Sequence, residues 1–260
     1  MFRQFDLRYK FMNNFMSNRL NSYLPNEKVI SLCETDFGIK IKHEFTPYGL
    51  MGGDLWGIRP LSDNEVAIYL FDFLGHGETA GKEAAFLYSI MNDMFKPGIQ
   101  AGKFITELNR RFCNSPGFQR YATMFLTIYN KSTRTFNYSS AAHQPFYHIS
   151  LNKEEPANIT KPSFILGSMD DAIYESNNIK VNSEDLFLTY SDALPEARIQ
   201  ANGNLFDNKL QQTIYETHGQ MKKDRYLCAD NLFNATMEQF KKDCNSETED
   251  DLTFLVLQVN

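Results

Sequence analysis

Four short acidic motifs, far apart along the chain, hold the residue types best suited to chemistry. They are Gly52-Gly53-Asp54, Asp72-Phe73-Leu74-Gly75-His76-Gly77, Ser191-Asp192-Ala193-Leu194-Pro195-Glu196-Ala197 and Asp250-Asp251-Leu252-Thr253. Each aspartate adjoins an apolar, strand-like run, at its end or just before its start. Strand ends distant in sequence can share one rim of a sheet, so these carboxylates can converge. Left unpaired, like charges in a partly desolvated site repel by something on the order of several kcal/mol. Bound divalent cations remove that penalty, and an all-oxygen donor set without cysteine selects magnesium or manganese over zinc or copper. The chemistry implied is metal-dependent hydrolysis.

Singly, each motif has a plainer reading. Asp72 alone reads first as a cap for the helix that follows, whose dipole favours a negative charge. Asp192, at the end of the run Leu186-Phe187-Leu188-Thr189-Tyr190-Ser191, has the same logic. Asp250 and Asp251 alone read as a charged turn, and Asp54 after two glycines is ambiguous; the combination carries the case. His76 is a candidate proton donor, since imidazole titrates near neutrality, but a histidine between glycines is expected first to fix its loop. His143, before Gln144-Pro145, is expected to be a structural strand-end residue bonded to backbone. His43, His148 and His218 stand in no motif, and Trp56 is expected in the core.

Periodicity supplies the elements that must position these residues. Residues 2–24 carry apolar side chains at helical spacing, and Pro25 stops them. Packing on the core is the first expectation for this helix and homodimerisation the second. Strand patterns follow over residues 38–48, 54–60 and 65–73, the last two joined through Ser62-Asp63-Asn64 as a hairpin. Residues 66–71 are nearly all apolar, as expected of a central strand covered on both faces. Helices are predicted over 77–95 and 101–113, strands over 121–129, 135–140, 144–151, 172–181 and 185–190. Two more helices, 204–217 and 226–242, precede a final strand over 252–259. Hairpin-linked strands dominate, so the sheets should be mostly antiparallel with helices outside. The expected fold is a four-layer α/β/β/α sandwich, with an N-terminal helix over 1–25 and a single domain over 26–260.

Bulk composition is compatible with this. The 260 residues are 42% hydrophobic and 22% charged, ordinary for a globular chain. A net charge of -6 argues against a nucleic-acid partner, and no apolar run approaches a membrane span. Four scattered cysteines without metal-type spacing suit a reducing cytoplasm.

The ordered motifs resemble those of PPM-type (type 2C) metal-dependent serine/threonine phosphatases, most closely the bacterial SpoIIE/RsbU-like branch. Tyr121-Ala122-Thr123-Met124-Phe125, Ala141-Ala142-His143-Gln144-Pro145 and Phe164-Ile165-Leu166-Gly167 resemble further family segments in order and spacing, so the likeness runs from about residue 38 to 260. Three departures stand out. Ala193 follows Asp192 where the family usually has Gly, Ala142 stands in a segment usually reading Ala-Gly-His-Asn-Pro, and Glu78-Thr79-Ala80-Gly81-Lys82 are extra.

The resemblance implies roles. Two manganese or magnesium ions would be bridged by Asp72, with the Phe73 carbonyl completing one shell and Asp192 and Asp250 holding the second ion. Asp54 would orient metal-bound waters, and Asp251 would be a helper or a turn residue. The ions would activate a water for direct attack on a phosphoserine or phosphothreonine. The implied partner is a phosphorylated protein, by analogy an anti-sigma-factor antagonist. The alternative is a catalytically attenuated pseudophosphatase that binds a phosphoprotein. Gly52-Gly53-Asp54 also suggests a diguanylate cyclase, but Leu55-Trp56 replaces the Glu-Phe that such enzymes carry.

Overall fold

The computed structural model describes residues 24–49, 52–75, 77–115 and 121–260. The predicted helix over 2–24, save its last residue, lies outside them, as does His76.

Two five-stranded sheets face each other. One has the order β2-β3-β4-β5-β8, from Leu55–Pro60, Glu65–Phe73, Ala122–Asn130, Thr135–Ala141 and Asn177–Lys180. The other has the order β1-β10-β9-β6-β7, from Ile39–Thr46, Leu252–Val259, Leu186–Tyr190, Tyr147–Ile149 and Ala157–Asn158. Every pairing between these strands is antiparallel. Helices α2 (Glu78–Asn92) and α3 (Ala101–Cys113) cover the first sheet, and α5 (Asp207–Asp224) and α6 (Ala229–Cys244) the second. The four-layer sandwich expected from the sequence is the observed fold.

The period-two geometry of a strand explains why β3 is apolar almost throughout. Ala67, Tyr69, Phe71 and Phe73 pack under α2 and α3, while Val66, Ile68 and Leu70 pack between the sheets. The same parity rules β10: Leu255, Leu257 and Val259 face the other sheet, and Leu252, Phe254 and Val256 face α5 and α6. Helix α3 shows the 3.6 period, burying Phe104, Ile105, Leu108 and Phe112.

Several elements differ from the sequence reading. Helix α1 (Glu27–Phe37) was not anticipated; it buries only Cys33 and Phe37, too few for a visible apolar stripe. Asn26 caps it, accepting from the Val29 amide at 3.1 Å, and Gly38 ends it at φ +70°. The strand predicted over 172–181 is cut to β8, because residues 167–174 are held instead by α3. There Asn109 donates to the Met169 carbonyl at 2.6 Å and accepts from the Gly167 amide at 2.9 Å, and Thr106 accepts from the Tyr174 amide. Likewise 144–151 shrinks to β6, with the unforeseen short β7 beside it. Helix α5 runs to Asp224, and a four-residue helix α4 (Ala193–Glu196) follows Asp192.

Candidate active site

Parity places the acidic motifs. In the β2–β3 pair Leu55 lies opposite Phe71, so one step outward sets Asp54 across from Asp72. Both continue the even-numbered series, Trp56 and Ile58 or Ile68 and Leu70, whose side chains point between the sheets. On the second sheet Asp251 and Thr253 continue the inward series of Leu255 and Leu257, and Ser191 that of Phe187. The two sheets thus present these side chains to each other at one rim. Asp54, Asp72 and Asp251 are 4%, 8% and 2% exposed, whereas Asp192 and Asp250, beyond the strand ends, are half-buried.

Hydroxyls from the second sheet reach across to the first. Thr253 Oγ1 donates to Asp54 Oδ2 at 2.6 Å. Ser191 Oγ accepts from the Thr253 amide at 2.9 Å and donates to the Asp251 carbonyl at 3.0 Å, tying β9 to the start of β10. The sequence reading gave Ser191 and Thr253 no role. The signal was present, since both lie an even number of residues from the inward apolar positions of their own strands.

Crowding of carboxylates sets their ionisation. Burial, then the charge of Asp72, raises Asp54 well above the usual carboxyl range, while the Thr253 hydroxyl pulls the other way. Asp72 is raised by burial and then by Asp192, Asp250 and Asp251. Asp192 is pushed up to about 6 by burial, Glu196 and Asp250. The ion pairs of Lys40 and Lys42 with Asp230, Arg110 and Arg111 with Glu107, His148 with Asp185 and Lys222 with Glu154 involve none of these carboxylates. A hard divalent cation fits such an all-oxygen donor set as the charge partner of the crowded carboxylates. Among the described residues no group of three Asp, Glu, His or Cys side chains is already arranged to hold an ion.

His143 is no proton donor to this site. It is 6% exposed, burial lowers its pKa to about 3, and Nδ1 bonds Thr123 Oγ1 at 2.7 Å rather than backbone. Trp56 is buried against His43, with ring centroids 4.8 Å apart. Gly75 and Gly77 take φ of +89° and +86°, a left-handed backbone after Asp72 that only glycine adopts easily.

The family model of Stage II sporulation protein E matches residues 62–260, more than half of the chain. The chain belongs to the SpoIIE family. It therefore falls among PPM-type serine/threonine phosphatases, in their SpoIIE/RsbU-like branch. Solved structures share the fold at low identity. The SiaA-PP2C domain of Pseudomonas aeruginosa aligns with a TM-score of 0.79 at 13% identity, covering 98% of each chain. The PP2C phosphatase domain of SpoIIE from Bacillus subtilis, with a fragment of its regulatory domain, gives 0.68 at 17% identity over 85% of this chain and 63% of that one. The RsbU and RsbW domains of Rv1364c from Mycobacterium tuberculosis give 0.65 at 21% identity over 85% of this chain. The chain spans 59% of that solved chain. RsbX, solved in complex with magnesium, gives 0.63 at 18% identity over 85% and 96%. Curated protein sequences gave no match.

The family's departures now have structural readings. Ala193 opens α4 and is absent from the positive-φ positions, so no glycine is needed there. Ala142 adopts φ +49°, the left-handed region that disfavours a side chain. The extra residues from Glu78 onward form the first turn of α2.

Proposed function

We propose that the chain is an active, metal-dependent protein serine/threonine phosphatase acting in bacterial signalling. One observation supports this reading: Asp54 and Asp72 lie across from each other at the rim of the first sheet, and burial together with the charges of Asp192, Asp250 and Asp251 raises the pKa of Asp72. Asp72, Asp192, Asp250 and the Phe73 carbonyl would hold two Mn2+ or Mg2+ ions, with Asp54 beside them. Such ions make water a nucleophile near neutral pH and offset charge developing on a phosphoryl group. The chain's own residues would orient that chemistry. Thr253 holds one oxygen of Asp54, and the left-handed glycines after Asp72 allow backbone to approach a phosphate closely.

The substrate of this reading is a phosphorylated regulatory protein, by family analogy an anti-sigma-factor antagonist, and the compartment is the cytoplasm. Free Cys33, Cys113, Cys228 and Cys244 suit a reducing environment. No helix among the described residues is long and apolar enough to cross a membrane. The phosphatase domain is taken as 26–260, with Leu24 already packed against the core. Homodimerisation through residues 1–25 belongs to a segment almost wholly outside the described residues.

The test is hydrolysis of p-nitrophenyl phosphate with manganese, beside EDTA and Asp72→Asn. Manganese-dependent turnover lost in the variant is expected. A folded, manganese-loaded wild type without turnover would instead favour the phosphoprotein-binding pseudophosphatase.

A further inference from the structure

Asp251 sits among the site carboxylates but is spent differently. Its side chain accepts from the Tyr48 amide at 2.8 Å through Oδ1 and from the Gly53 amide through Oδ2. Its carboxylate thereby grips, from the second sheet, the loop that leads into β2 of the first. The fit is close on both sides of that loop. A Cβ on Gly52 would lie 2.5 Å from Asp251 Oδ1, and one on Gly53 would lie 2.9 Å from the Gly75 carbonyl oxygen and 3.2 Å from the Phe73 carbonyl oxygen. Neither glycine has a positive φ, so space rather than backbone freedom requires them. The Gly52-Gly53 pair is wedged between Asp251 and the backbone that follows Asp72.

We infer that Asp251 is a positioning residue: it locks the Gly52-Gly53-Asp54 turn onto the second sheet and so holds Asp54 facing Asp72. The inference rests on the metal-site reading above and concerns how that site is shaped. Each oxygen of Asp251 accepts a backbone donor, which suits a support for the turn rather than a metal ligand. Released from it, the turn has lost two charge-assisted hydrogen bonds, and Asp54 is left to the Thr253 and Ser191 hydroxyls and Asp72. Metal affinity is the property that reads its loss directly, since Asp54 stands beside the ions it would help to hold.

Manganese binding is titrated by electron paramagnetic resonance on the full chain, wild type beside Asp72→Asn, Asp251→Asn, Asp251→Ala, Gly52→Ala and the double variant Gly52→Ala/Asp251→Ala. Thermal unfolding confirms that each is folded. Asp251→Asn is expected to weaken binding about 10–100-fold with the number of bound ions unchanged. Gly52→Ala, which pushes on the carboxylate without removing it, should weaken binding in the wild-type background. In Asp251→Ala the obstruction is gone, so the same change should add little. Unchanged affinity in folded Asp251→Asn or Gly52→Ala overturns the inference, as does an equal effect of Gly52→Ala in both backgrounds. Loss of a bound ion in Asp251→Asn also overturns it, by making Asp251 a ligand. Wild type that binds no manganese, or Asp72→Asn that binds as well as wild type, sinks the metal-site reading itself.

Discussion

Two alanines stand where related chains usually carry glycine, and they differ in consequence. Ala193 takes an ordinary helical conformation and needs no accommodation. Ala142 is held at φ +49°, its amide bonded to Ser163 Oγ at 2.9 Å, while Ser163 donates to the Ser140 carbonyl at 2.7 Å. A left-handed conformation costs a residue with a Cβ roughly 1–2 kcal/mol, and glycine loses part of that advantage to its freer unfolded state. Ala142→Gly should therefore raise stability by up to about 1 kcal/mol. The midpoint of urea unfolding reads it, and a lowered midpoint would show that the Cβ makes a contact worth more than the strain. His143 next to it shows what type alone conceals. A histidine in a motif suggests proton transfer, yet burial and the Thr123 bond leave this one neutral through the physiological range.

Elements were legible where a periodic stripe met a full-length partner. β3 and β10 are flanked by strands on both sides, so their apolar runs and their ends read correctly from sequence. Alternation over 172–181 misled because pairing needs a neighbour, and only Asn177–Lys180 finds β5. The rest is claimed by polar side chains of α3, a competition no local window contains. Helix α1 escaped for the opposite reason, having a cap and a glycine stop but little apolar content. Its cap is the accessible test. Asn26→Ala removes the acceptor for the Val29 amide and should cost about 1 kcal/mol by chemical denaturation. A loss near zero would mean that burial of Cys33 and Phe37 alone fixes the helix.

At the scale of the molecule, the carboxylate rim couples metal, proton and fold. Asp54, Asp72, Asp192 and Asp251 all have raised folded pKa values, so the metal-free folded state keeps protons that the unfolded chain releases. Stability must then fall as pH rises from the ordinary carboxyl value of 3.8 through the folded one, about 6 for Asp192, with Asp54 and Asp72 shifted in the same direction. Divalent metal reverses this by replacing protons as the charge partner. Manganese should therefore raise the Tm of the full chain more at about pH 7.5 than at about pH 5.5. Differential scanning calorimetry with and without EDTA measures it; equal gains at both pH values would mean that the ion binds away from these carboxylates.

Sequence by itself determined the antiparallel bias, the outer place of the helices and the identity of the acidic motifs, and was compatible with the four layers, because strand parity, helical period and residue chemistry are written locally. It also contained, unread, the parity that sends Asp251, Thr253 and Ser191 inward. Tertiary structure alone decided what each carboxylate engages: Asp250 Oδ1 accepts from the adjacent Asp251 amide at 2.8 Å, whereas Asp251 reaches across the sheets. Asp250 and Asp251 are neighbours of one type, and only the Tyr48 and Gly53 amides, 203 and 198 residues away in the chain, engage the second of them. Distance and hydrogen bonding across two packed sheets made that distinction, and no local pattern encodes it.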